Sequence, residues 1–348
     1  MKRFCFCKKD LLFKKNISNA YRWFNKHSII YLFLFDKERF SIGECNTLFI
    51  SFEEINRMNH ILNNIPFEEI INNFNVFPYF KGSFLHPIFI FGLEQMLIGF
   101  NSHFPILYHS PFTKKKEGLS INDILWLHLW IEYDEYKIIK EIEKKIIQGF
   151  SCFKIKMHMD LFDFQYKIIK KISKMYPFIN VRMDANGCFK NIKEALYYLN
   201  KLYDLRIVSL LEQPILPGSW KELSMICKIS KLPISLDEEL IGVTSLKEKK
   251  KLLDLVNPKY LVIRPSLHGG FMKSEEWIIE SKKRNIKWYV SSSFESSIGM
   301  NAIAQWTYVM QKKYFNNFIV HHGLNTLNVY KNESFSLIEK RKGLIWYI

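Results

Sequence analysis

The sequence predicts an α/β barrel with a smaller α+β unit on its N-terminal side. Three observations predict it. From about residue 120, short apolar runs alternate with amphipathic stretches of helical period, the pattern of βαβ units on a parallel sheet. Counted from "INDILWL" to "NFIVHHG" there are about eight such runs, the number that closes a barrel. The ends of successive runs carry polar residues at a spacing of one strand-plus-helix step.

The elements follow in order. Up to residue 50, "RFCFC", "IIYLFLFD" and "RFSIGEC" are rich in aromatic and β-branched residues and read as strands. Residues 52 to 100 read as helices. Ser51 with Glu54 gives a capping-box pattern before "FEEINRMNHILNNI". "HPIFIFGLEQMLIGF" is apolar around most of its circumference and is expected to be buried. Next, "FKIKM", "INVRMDANG", "IVSLLEQP", "PISLDEEL", "YLVIRPSLHGG" and "KWYVSSSFE" read as strands. They are separated by "DFQYKIIKKISKMY", "IKEALYYLNKLY", "WKELSMICKIS", "SLKEKKKLLDLV" and "SEEWIIESKKRN", which read as helices. The closing "SFSLIEKRKGLIWYI" has no paired helix and is expected to return to the first unit.

Composition narrows the class. The chain has 348 residues, 48% hydrophobic and 16% aromatic, enough for a sizeable folded core. Its net charge is +16, but the lysines lie in short scattered runs such as "TKKKEG" and "KEKKKLLD". No nucleic-acid motif accompanies them, so they read as solvated faces of a chain rich in Lys, Ile, Asn and Phe, with no nucleic acid as partner. None of the six cysteines pairs at zinc-site spacing, and reduced thiols in a cytoplasmic protein are expected. "IIYLFLF" is too short to span a bilayer, and Lys8, Lys9 and Asp10 interrupt any signal-like segment, so no membrane partner is expected. Oligomeric state is left open.

Six polar residues keep step with the repeat. Lys156, Asp184, Glu212, Asp237, Arg264 and Ser291 are separated by 28, 28, 25, 27 and 27 positions. They should sit at one height, at the C-terminal ends of successive strands, where barrel enzymes keep their active sites. Asp184, Glu212 and Asp237 come from adjacent strands and would repel one another without a cation. Oxygen-only ligation with room for water and substrate suits Mg2+. Lys154 and Lys156 in "SCFKIKM" share a strand face. Desolvation and a neighbouring cation both lower a lysine pKa, so Lys156 is the candidate base. Lys154 is either that neighbouring cation or a neutraliser of the carboxylates. A lysine base beside Mg2+ suits removal of a proton next to a carboxylate, where charge gathers on the enediolate oxygens.

With "KIK", "DANG", "EQP" and "LDEEL" in order, the chain resembles the enolase superfamily, for which Lys-plus-Mg2+ enolisation is a known pattern. "VRMDANG", "RPSLHGG", "SSSFESSIGMNAIAQW", "HHGLNTL" and "IGECNTL" make it most similar to the o-succinylbenzoate synthase family. The resemblance implies an α+β capping domain, residues 1–115 completed by about 325–348, on a modified (β/α)7β barrel, 116–324. It implies Mg2+, with Mn2+ able to replace it, and a small-molecule substrate. The implied reaction dehydrates 2-succinyl-6-hydroxy-2,4-cyclohexadiene-1-carboxylate to o-succinylbenzoate in menaquinone biosynthesis. Lys156 would take the alpha proton and then protonate the departing hydroxyl on the same face. Ser291 and the Gly323 backbone would contact the succinyl tail, and a loop at Lys14 to Ala20 would close over the substrate. Arg182 would either position the substrate or support Asp184.

The chain departs from the family at two positions. Arg264 stands where the family usually has lysine, and an arginine is a poor base. Racemases and epimerases on this scaffold need a base on each face, so Arg264 favours one-face dehydration, in which a cation there need only stabilise the anionic intermediate. Asn325 replaces a usual glycine, a change expected to affect only a loop. A decayed chain kept as a binding protein is the reading from another class; the intact carboxylates and Lys156 argue against it.

Overall fold

The structure, a computed structural model, describes residues 2–348 except 19–22, 49, 65–85, 316–319, 328 and 334–335. The N-terminal unit is a three-stranded antiparallel sheet, β1 (Arg3–Ser18), β2 (Trp23–Phe35) and β3 (Phe40–Asn46), in that order. The first two strands run longer than the apolar stretches alone suggest, with a register shift between Leu12 and Ile17. Alternation leaves Ile30, Leu32 and Leu34 on one face, packed against Phe89, Leu93 and Met96 of α2 (Pro87–Ser102). A Cβ on Gly43 would lie 1.9 Å from the Gly92 carbonyl oxygen, so β3 and α2 meet backbone to backbone. The capping box of α1 (Phe52–Asn64) forms: the Ser51 N–H donates to Glu54 at 3.1 Å, and the Glu54 N–H to Ser51 Oγ at 3.2 Å.

A short strand outside the barrel sheet, β4 (Leu119–Ser120), leads into the first barrel strand, β5 (Asp123–Leu125). There follow α3 (Glu135–Ile147), β6 (Cys152–Lys156), α4 (Phe162–Met175), β7 (Asn180–Asp184), α5 (Ile192–Tyr203), β8 (Val208–Glu212) and α6 (Trp220–Ile229). It continues through β9 (Ile234–Leu236), α7 (Leu246–Val256), β10 (Tyr260–Ile263), α8 (Gly270–Lys283), β11 (Lys287–Val290) and α9 (Ser297–Tyr314). Strands β5 to β11 form one parallel sheet in sequence order. Parallel bridges from Ser291 to Gly323 and from Ile121 to His322 join its two edges through an eighth strand segment. The result is a TIM-like barrel of (β/α)7β order. Leu210, Val262, Tyr289 and Val320 pack together within it.

The C-terminal residues divide between the two units. The Lys331 N–H donates to the Leu12 carbonyl at 2.7 Å, and Tyr330 bridges to Phe13, so this segment runs beside β1. The hairpin β12 (Ile338–Arg341) and β13 (Leu344–Tyr347) pairs instead with β4. Its turn meets Gly149, just ahead of β6, where a Cβ would come within 2.7 Å of the Lys342 carbonyl carbon. Among the described residues, the C-terminal segment thus pairs with β1 at Tyr330 and with β4 through the hairpin. Ile338 and Ile345 bury in the large core cluster that also holds the apolar residues of the barrel strands.

Two buried carboxylates fasten the N-terminal unit to the barrel. Glu44 of β3 accepts from the Ser296 N–H at 2.9 Å, the Gly299 N–H at 2.8 Å and the Ser296 hydroxyl, at the N-terminus of α9. Glu94 of α2 accepts from the Phe271 N–H at 2.5 Å and the Met272 N–H at 3.4 Å, at the N-terminus of α8. Unpaired helix N–H groups and the positive end of the helix dipole both favour a carboxylate there. These contacts hold the two loops that carry Arg264 and Ser291. Among the described residues, no helix is long and apolar enough to cross a membrane.

Candidate active site

The register of the parallel strands assembles the site. Lys154 pairs with Arg182 and Lys156 with Asp184, and Asp184 in turn pairs with Glu212. Asp237 follows β9, and Arg264 follows β10. Asp184, Glu212 and Asp237 are all buried.

The two lysines have separate fates. Lys154 Nζ lies between two carboxylates, 2.8 Å from Asp184 Oδ2 and 2.7 Å from Glu212 Oε1. Burial opposes its charge, but Asp184 and Glu212 outweigh burial and hold the ammonium above the ordinary lysine range. The Lys156 carbonyl accepts from Gln165 Nε2 at 2.9 Å, but its ammonium, two residues on from Lys154, has no hydrogen-bond or ion-pair partner among the described residues. Burial lowers its pKa; Asp184 pulls it back up, and the charge of Lys154 lowers it further.

The carboxylates differ as well. Burial and the charge of Asp184 push Glu212 up, with Lys154 opposing. Its Oε2 also accepts from the Tyr289 hydroxyl at 2.9 Å. Asp237 is clamped by Arg264: Nε donates to Oδ1 at 2.6 Å and Nη2 donates to Oδ2. Burial alone would raise Asp237, and the guanidinium more than reverses that. Arg264 Nη1 donates to the Ser292 carbonyl at 2.5 Å. Arg264 is therefore engaged with a carboxylate ligand candidate on one side and with the Ser292 carbonyl on the other.

The other predicted site residues have partners within the protein. Arg182 donates to the His321 carbonyl at 2.8 Å and stacks over the Tyr289 ring at 4.1 Å. It thus packs on the tyrosine that bonds Glu212. The Gly323 N–H donates to Val290 at 2.7 Å and its carbonyl accepts from the Ser292 N–H at 3.0 Å, so its backbone serves barrel closure. Ser291 Oγ donates to the same carbonyl at 3.4 Å. Asn325 is buried and donates to Asp123 at 2.6 Å, so that departure reaches beyond a loop. Of the expected closing segment, Lys14 to Ser18 belong to β1, while residues 19 and 20 lie outside the described residues. Lys15 Nζ lies 3.2 Å from His128 Nε2, just past the end of β5.

Two residues were missed. Glu238 adjoins Asp237, and its pKa is raised to about 7, by burial first and then by Asp237 and Asp184. It accepts from Asn186 Nδ2 at 2.8 Å, and its other oxygen is buried without a partner among the described residues. The doubled acid in "LDEEL" was its signal. Tyr289 lies two before Ser291 on one strand face, and that spacing was its signal.

The donor chemistry suits a hard divalent cation: three buried carboxylates from neighbouring strands, compensated by two cations. Among the described residues, however, no three acidic, histidine or cysteine side chains are grouped as a finished metal cage. The reason is local. Lys154 occupies the space between two carboxylates, and Arg264 takes both oxygens of the third.

Known proteins share this architecture. No family model matches the chain. It is 32% identical over 241 residues to an o-succinylbenzoate synthase of Desulfotalea psychrophila, covering 68% of this chain and 61% of that protein. The aligned part is thus under two thirds of that relative's length. It is 26% identical over 164 residues to an L-amino acid-D/L-Glu epimerase of Sulfurimonas denitrificans, covering 47% of this chain and 46% of that protein. The crystal structure of MenC from Desulfotalea psychrophila superimposes with a TM-score of 0.84 at 25% identity, over 99% of both chains.

Proposed function

The chain belongs to the enolase superfamily, and we propose that within it the protein is a Mg2+-dependent o-succinylbenzoate synthase. The carrying observation is the split between Lys154, paired to two carboxylates, and Lys156, unpaired on the same strand face with a lowered pKa. A neutral amine is what proton abstraction requires.

In this reading Lys156 removes the proton alpha to the carboxylate of 2-succinyl-6-hydroxy-2,4-cyclohexadiene-1-carboxylate. The C–H electron pair becomes a ring double bond, and the C–O bond breaks. The departing hydroxide takes the proton back from Lys156 and leaves as water. One residue serves both transfers because both occur on one face. Asp184, Glu212 and Asp237 would hold Mg2+, which supplies stabilisation of the negative charge growing on the substrate carboxylate. Lys154 keeps the Asp184 and Glu212 pair neutralised, and its charge helps keep Lys156 unprotonated.

The other reading is an epimerase or racemase such as the one from Sulfurimonas denitrificans. It needs a second base across the substrate, and Arg264 is protonated and bound to Asp237. A paired assay tests the choice. Purified protein with Mg2+ receives the cyclohexadiene substrate in one vessel and N-acylamino acids in D2O in another. Formation of the aromatic product without alpha-deuterium exchange in the amino acids is expected. Exchange without aromatic product overturns the proposal.

A further inference from the structure

Arg264 does more than replace one cation by another. Its Nε and Nη2 engage both oxygens of Asp237 at once, and Nη1 is tied to the Ser292 carbonyl at 2.5 Å. Nη2 also lies 4.0 Å from Glu212 Oε1. The acceptor is held from behind, because the Asp237 N–H donates to Gln213 Oε1 at 3.3 Å. The donor is held too: the Arg264 N–H donates to His268 Nδ1 at 3.3 Å. Fork and carboxylate therefore face each other from anchored backbones, the geometry in which a bidentate pair is strongest.

We infer that Arg264 is a resident competitor for Asp237, a positioning residue that holds this carboxylate until a divalent ion displaces the guanidinium. The inference rests on the metal-site reading above. A lysine side chain at this position has one nitrogen, so it can hold only one Asp237 oxygen at full strength and leaves the other open. This chain would then bind its metal more weakly than its Arg264→Lys variant. Lys154 is not equivalent, because it bridges two carboxylates and leaves Asp237 alone.

The test is Mn2+ binding to the whole metal-free protein, followed by the electron-spin signal of free Mn2+. Arg264→Lys keeps the charge, so a change in affinity reports loss of the fork. It is expected to tighten Mn2+ binding on the order of tenfold, the equivalent of one charge-assisted hydrogen bond. In an Asp237→Asn background the gain should vanish, which ties it to that carboxylate. As a second reading, Arg264→Met should lower Tm in chelator, and saturating Mn2+ should narrow the gap from wild type. Equal or weaker binding by Arg264→Lys, or an equal Tm gap with and without Mn2+, overturns the competition. Absence of Mn2+ binding by wild type and both variants overturns the metal-site reading itself.

Discussion

Replacing Glu44 by alanine removes the acceptor of three hydrogen bonds at the start of α9, two of them from backbone N–H groups. These donors are buried where the two units meet, so water cannot readily replace the carboxylate. Leaving buried donors unpaired costs about 1–3 kcal/mol each, with partial relaxation bringing the total to about 3–5 kcal/mol. At about 2 cal/mol/K per residue, a chain of 348 residues loses between about 4 and 7 °C of Tm. Thermal unfolding followed by circular dichroism measures it. A Tm within about 1 °C of wild type would refute the latch.

Protonation gives a second arm. Burial raises Glu44 and Glu94 to about 8, against ordinary glutamate values of 4.5. Across that window the folded state binds more protons than the unfolded state, so these groups make stability fall as pH rises. Their contribution is fully present below pH 4.5 and is lost as pH rises through about 8. Glu44→Gln keeps an acceptor and removes the titration, so its stability should fall less steeply over the same range. Parallel pH profiles for wild type and Glu44→Gln contradict this assignment.

Three further outcomes follow from the site. Lys156→Ala should cut turnover about 1,000-fold while Mn2+ still binds; turnover within tenfold of wild type removes Lys156 from the mechanism. The wild-type rate should rise with pH to a plateau set below the ordinary lysine value, because burial lowers Lys156 and the base must be neutral; a rise continuing past pH 10.5 contradicts that. Lys154→Met leaves Asp184 and Glu212 uncompensated and should cost about 3–5 kcal/mol in chelator, with much of it recovered in Mg2+. Chemical denaturation with and without the ion measures both, and equal losses would show that Lys154 does not stand in for it.

The order of strands and helices was legible because each apolar run is bounded by amphipathic helices, and because Asp184, Glu212, Asp237 and Arg264 keep step with that repeat. Shared facing of Lys154 and Lys156 follows from strand period alone. Their different charge states do not, since they depend on which carboxylates lie across the strand ladder. Likewise, no local signal announces that Arg264 turns sideways onto Asp237. Glu94 was visible as one acid inside an apolar helix, but its partners lie 177 and 178 residues away. The same distance effect hid the hairpin at 338–347, whose alternation fits either unit, and the Gly323 backbone, whose hydrogen bonds exist only once the barrel closes.

The central claim is that a divalent ion among Asp184, Glu212 and Asp237 works with a neutral Lys156. Its most direct measurement is the dehydration rate of the cyclohexadiene substrate after exhaustive chelation, then during stepwise return of Mg2+. The account predicts loss of turnover on chelation and saturable recovery with Mg2+ in wild type, with no recovery in Lys156→Ala. Undiminished turnover in the chelated wild-type protein would contradict it.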